Sequence, residues 1–240
     1  MRRARTFLTL AAAVALSGCG GGDPVRLVGN EVSIEVSLGA NLPQTIRLSG
    51  IERGSGSVGV VLAHMLGSSQ SAWQGLVEEI AERDFHVLTF DFRGHGISGG
   101  DRDPSLAAID LRAAVAKLRS LGASKIFVVG ASMGGTAAIV VAADEKLEGV
   151  VAISAPSSID GLDASVVAGR LDEPSLFIVG SKDAEQYTKA ATTLAGSAPE
   201  PSSLEVIAET GAHGTDLLSD TKTRTRVTML IIDFLTARRG

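Results

Sequence analysis

The chain has 240 residues, 45% of them apolar and 20% charged, with a formal net charge of −5 at pH 7 and a single cysteine. That length suits one domain with a sizeable core. One cysteine excludes an intramolecular disulfide, and no His/Cys/Asp grouping has ligand spacing, so neither a metal nor any other cofactor is expected. An acidic chain without basic clusters is a poor partner for nucleic acid.

Arg2, Arg3 and Arg5 precede an apolar run over 7–16 that is too short to span a bilayer. The run ends at Leu16-Ser17-Gly18-Cys19. This tetrapeptide resembles the lipobox of bacterial lipoproteins, which implies a leader over 1–18 and a lipidated Cys19 as the first mature residue. The alternatives are an ordinary secretory signal or a stray thiol. Gly20-Gly21-Gly22-Asp23-Pro24 then reads as a flexible tether within 19–29. Without residues 1–18, basic residues fall from 22 to 19 against 27 acidic ones, and the net charge becomes −8. Membrane association would therefore come from acyl chains on Cys19, with the protein exported and anchored at a bacterial envelope.

The folded part is expected over 30–240. Residues 32–38 and 44–48 alternate apolar and polar, as half-buried antiparallel strands do, with a turn at Asn41-Leu42-Pro43. The pattern changes at Val58. Continuous apolar runs at 58–63, 87–90, 126–129, 150–153 and 176–179 read as strands buried on both faces, and 204–207 as a shorter last strand. Helical periodicity separates them over 73–83, 106–121, 133–143, 184–194 and 215–238. A hairpin followed by alternating strands and helices predicts an α/β fold: a mostly parallel eight-stranded sheet covered by helices on both faces. Ligands in such sheets bind beyond the carboxyl ends of the strands. His64, Asp91, Ser132, Asp183 and His213 each follow a strand in this pattern.

The most telling turn is Gly130-Ala131-Ser132-Met133-Gly134, between an apolar strand and an Ala-rich helix. G-x-S-x-G is the spacing of a nucleophile elbow. The serine sits strained on a tight turn, and only very small residues fit two positions to either side. The N–H groups that follow open a helix, where they can stabilise an oxyanion.

With Asp91-Phe92-Arg93-Gly94-His95-Gly96-Ile97-Ser98, Gly180-Ser181-Lys182-Asp183 and Gly211-Ala212-His213-Gly214, the chain resembles the α/β-hydrolase fold over roughly residues 30–238. It is most like the lidless esterase and dienelactone-hydrolase-like members. The order Ser132…Asp183…His213 is typical of that fold. The resemblance implies Ser132 as nucleophile, His213 as general base and Asp183 as the acid that orients it, with Asp160, Asp163 and Asp172 as rivals for the last role. Backbone N–H groups of Leu66 and Met133 would form the oxyanion hole. Met65 stands where the family has glycine. The segment from Asp91 to Ser98 is expected to be structural, with Asp91 and Arg93 as an ion pair. His64 is expected to brace its turn. Only residues 155–173 lie where relatives insert a cap, so the site should be open.

These residues imply a serine hydrolase that cleaves carboxylic esters through an acyl-enzyme, acting on small or lipid-like esters. A thioesterase or an amidase/peptidase would use the same groups. Dehalogenases and epoxide hydrolases carry an aspartate nucleophile and fit less well. A binding lipoprotein on a hydrolase fold is the alternative from another class.

Overall fold

The computed structural model describes residues 27–37 and 45–239. The expected leader, Cys19, the tether as far as residue 26 and the Asn41-Leu42-Pro43 turn lie outside them. Leu27, inside the expected tether, is buried and belongs to the core layer that also holds Val58, Val60 and Phe85.

The opening hairpin is β1 (Asn30–Ser37) and β2 (Thr45–Arg53), paired antiparallel. β3 (Val58–Ala63), β4 (His86–Phe90), β5 (Lys125–Ala131) and β6 (Gly149–Ile153) follow. A two-residue hairpin, β7 (Ser158–Ile159) and β8 (Leu162–Asp163), precedes β9 (Ser175–Gly180) and β10 (Ser202–Ile207). The main sheet has eight strands in the order β1-β2-β4-β3-β5-β6-β9-β10. From β4 to β10 every neighbouring pair is parallel. Strand order reverses at β3, whose neighbours are β4 on one side and β5 on the other. A crevice forms at such a switch point, because the connections leave for opposite faces.

Burial on both faces explains the apolar runs. Along β3, Val61 and Ala63 enter one core layer, and Val60 and Leu62 the other. In β5, Ile126 and Val128 oppose Phe127 and Val129 in the same way. Side chains alternate across a strand, so each layer needs its own helices. α2 (Ala107–Ser120), α3 (Met133–Ala142) and α4 (Glu185–Ser197) cover the first layer. α1 (Gln74–Ala81) and α6 (Arg224–Thr236) cover the second, around the fully buried Trp73. α3 is apolar all round because it lies between the sheet and α2.

Two expectations are corrected. The helix expected over 215–238 is two: α5 (Asp216–Ser219), then α6. Asp220 breaks it, since its carboxylate accepts the Lys222 N–H at 2.9 Å, and Thr223 Oγ1 donates to the Leu217 carbonyl at 2.7 Å. Such local side-chain bonds compete with the helical ladder. Arg93 does not pair with Asp91. Its Nε and Nη2 grip Asp110 of α2 at 2.6 to 3.1 Å, and its backbone N–H donates to the same carboxylate at 3.0 Å. Asp91 is already engaged by N–H groups of Gln70 and Ile97 at 2.7 to 3.4 Å.

The Arg93–Asp110 pair is almost wholly buried. Asp110→Ala strands a buried guanidinium and should cost about 3–5 kcal/mol in urea unfolding. An Arg93→Met/Asp110→Leu double variant should lose less than the single one. It should still fall below wild type, because the Arg93 N–H loses its acceptor.

Candidate active site

Ser132 stands between β5 and α3 at φ 48°, ψ −117°. This is a costly backbone region for a residue with a side chain. The surrounding backbone enforces it. A Cβ on Gly130 would lie 2.2 Å from the Gly134 carbonyl oxygen, and one on Gly134 would lie 2.2 Å from that of Ala63. The Ser132 N–H donates to Ile153 O on β6 at 2.8 Å, and Thr136 Oγ1 ties α3 to Pro156 O at 2.8 Å. The elbow is thus clamped between the ends of β3 and β6, beside the switch point.

The turn after β3 is secured by two histidines. His64 Nδ1–H donates to Met65 O at 2.8 Å, and Nε2 accepts the Phe92 N–H at 3.0 Å. His95 Nδ1–H donates to Arg93 O at 2.8 Å, and Nε2 accepts the Gly67 N–H at 3.3 Å. Each loop therefore holds a histidine of its own and gives an N–H to the other loop's histidine. An accepting Nε2 requires a neutral ring at His64. Burial supports this for His64, lowering its pKa from 6.5 to about 4. The rings stand 5.0 Å apart.

Met65 fits where the resembled family has glycine. The left-handed residue of this turn is Gly67, at φ 76°, and Met65 is not among the positive-φ residues. Its sulfur would be 3.0 Å from a Cβ on Gly214, so the thioether occupies space that Gly214 leaves open. Met133 is the first residue of α3, and the first N–H groups of a helix lack intrahelical acceptors. The Leu66 N–H has no acceptor among the described residues either. Both are free to donate to a ligand.

Asp183 follows β9 and His213 follows β10, and the structure joins them. His213 Nδ1–H donates to Asp183 Oδ2 at 2.9 Å. The Asp183 carboxylate is buried, with its Oδ1 on the Ala184 N–H at 2.8 Å, while the imidazole is 24% exposed. In the neutral ring, a hydrogen on Nδ1 places the lone pair on Nε2, the nitrogen that can take a proton. Gly214 brings this loop against the elbow, since its missing Cβ would meet Ala131 at 3.6 Å. Ser132 Oγ makes no hydrogen bond among the described residues.

The rival acids are placed elsewhere. Asp160 forms the β7–β8 turn at φ 44°, Asp163 accepts from Ser165, and Asp172 lines a groove of about 570 Å³ with Ala142 and Glu148, near the amino end of β6. Lys182 pairs with Glu209 at 2.6 Å on the surface. Sequence reasoning missed Asp110, whose signal was an acid on the buried stripe of α2, and Tyr187, whose ring packs on His213. Between β6 and β9 stand only the β7–β8 hairpin and a short 3₁₀ turn.

A family model described as "Alpha/beta hydrolase family" matches residues 60–230. An esterase from Pyrococcus furiosus superposes with a TM-score of 0.72 at 21% identity, over 90% of this chain and 99% of that one. A Paleococcus ferrophilus monoacylglycerol lipase gives 0.68 at 19% identity, over 80% and 99%. The enol-lactonase of Burkholderia xenovorans LB400 gives 0.67 at 18% identity, over 80% and 97%. No curated protein sequence matches the chain.

The neutral-histidine brace has a measurable pH signature. With a folded-state pKa near 4 against 6.5, the unfolded chain binds the extra proton between these values, so stability falls as pH drops through that window. His64→Gln does not titrate. Its deficit in urea unfolding should therefore shrink by something on the order of 3 kcal/mol between pH 7 and pH 4. A constant deficit would mean that His64 titrates alike in both states.

Proposed function

The chain belongs to the alpha/beta hydrolase family, and from that premise we propose that it is a serine hydrolase cleaving carboxylic esters through an acyl-enzyme. The observation that carries the reading is the Asp183–His213 hydrogen bond, at the carboxyl ends of the strands where the strained Ser132 also stands.

Ser132 Oγ attacks the ester carbonyl carbon while His213 Nε2 takes its proton. The tetrahedral oxyanion is met by the N–H groups of Leu66 and Met133. His213 then delivers the proton to the leaving alkoxide, and the alcohol departs. A water, deprotonated by the same nitrogen, attacks the acyl-serine; as the acyl–Oγ bond breaks, His213 returns that proton to Ser132 Oγ and the acid leaves. Asp183 holds the tautomer and offsets the imidazolium charge at both stages. The esterase, lipase and lactonase of similar fold are consistent with this chemistry. The short β6–β9 connection leaves the mouth without a cap domain, which suits bulky or lipid-like acyl groups.

We further place the protein at a bacterial envelope, held by acyl chains on Cys19. The support is the order of basic, apolar and Leu16-Ser17-Gly18-Cys19 segments.

Hydrolysis of p-nitrophenyl acetate, butyrate, octanoate and palmitate by the full chain should fall at least about 10³-fold in Ser132→Ala. A fluorophosphonate probe should label wild type and not the variant. Equal, near-background rates for both would sink the esterase reading and turn attention to thioesters and amides. In a bacterial host, incorporation of labelled palmitate should disappear in Cys19→Ser; retained label would place the acyl group elsewhere.

A further inference from the structure

The His213 imidazole is held from two directions, and only one belongs to the proton relay. In the ring plane, Nδ1–H meets Asp183 Oδ2 at 2.9 Å. On the ring face lies Tyr187, with centroids 4.1 Å apart and planes inclined at 41°. Most aromatic pairs lie 4.5–7 Å apart, so this contact is close.

Both contacts come from one short stretch. Asp183 Oδ1 accepts the Ala184 N–H at 2.8 Å, and the Tyr187 N–H donates to Ala184 O at 2.8 Å. Tyr187 lies in the first turn of α4, four residues after Asp183. It is the chain's only tyrosine. Its hydroxyl makes no hydrogen bond among the described residues, so what it offers His213 is its ring face.

The geometry points to Tyr187 as a positioning residue: its ring holds the His213 imidazole in the orientation that keeps Nδ1 on Asp183 and presents Nε2 to Ser132. The inference rests on the hydrolase reading above. One hydrogen bond fixes a direction but leaves the ring free to turn about the Nδ1···Oδ2 line. With 24% of the imidazole exposed, part of the ring has no packing against it to oppose that turn. A face contact removes it. The negative face of an aromatic ring also favours the imidazolium formed during the reaction. Misorienting a general base reduces turnover more than substrate binding, so the effect should fall on kcat rather than KM.

The test compares full-length wild type, Tyr187→Phe, Tyr187→Leu and Tyr187→Met, each checked for folding by circular dichroism and urea midpoint. kcat and KM are measured with p-nitrophenyl butyrate. In parallel, proton NMR follows the His213 ring protons, assigned against His213→Gln because the chain has four histidines.

Tyr187→Phe should keep kcat within about threefold, while Leu and Met lower it about tenfold or more with KM little changed. In the Leu and Met variants the His213 resonances should move downfield, having lost the ring-current shielding that Phe preserves. Unchanged kcat and His213 shifts in folded Leu and Met variants would overturn the inference. So would equal losses in Phe and Leu, which would assign the effect to the hydroxyl. If wild type hydrolyses no ester, the proposed activity fails, and the NMR comparison still decides whether Tyr187 orients His213.

Discussion

Backbone crowding around Ser132 is the constraint on which the rest of the site depends. Two glycines let α3 start within contact distance of the ends of β3 and β5, and at neither position is there room for a methyl group. Close packing of this kind over-determines a backbone conformation that would otherwise relax. Hydrogen bonds from Ser132 to β6 and from Thr136 to the following loop add to the clamp. The strain at φ 48° is therefore balanced by the packing of three strands and a helix. The serine's position is a property of the whole sheet.

A second layer of organisation fixes the turn opposite the elbow. His64 and His95 each bond a carbonyl on their own loop and accept an N–H from the other, so the two loops move as one unit. Asp91 anchors the same unit to Gln70, and Ser98 bridges it to Ser49 on β2. Arg93 carries the attachment through to α2 by way of Asp110. Polar networks in low dielectric rigidify when every member is satisfied. This one leaves the Leu66 N–H without an acceptor among the described residues while holding its neighbours.

The sheet was readable in the sequence because strands buried on both faces must be apolar throughout, and 58–63 and 126–129 are. The last strand was harder, since Ser202–Ile207 is an edge strand with several partly exposed side chains. The elbow was readable because its spacing records a steric rule. Residues whose roles depend on how elements rotate were not. Arg93 sits two positions from Asp91 in sequence, yet its partner is 17 residues away, and only the placement of α2 decides that. Tyr187 meets His213 because the first turn of α4 passes beside a loop 26 residues later. The break at Asp220 was local and in principle legible, but the apolar periodicity on either side concealed it.

The burial of Leu27 has a consequence for distance. Only eight peptide steps separate Cys19 from a side chain fixed in the core. A fully extended chain of that length spans at most about 28 Å. With the proposed anchor in place, the folded body is leashed to the bilayer surface by less than the roughly 30 Å thickness of its hydrocarbon core. Such a leash makes encounter with surface-borne esters a matter of local concentration. For the proposed ester hydrolysis it also sets a geometric horizon: substrates farther out than the leash plus the body's own width must diffuse inward to be reached.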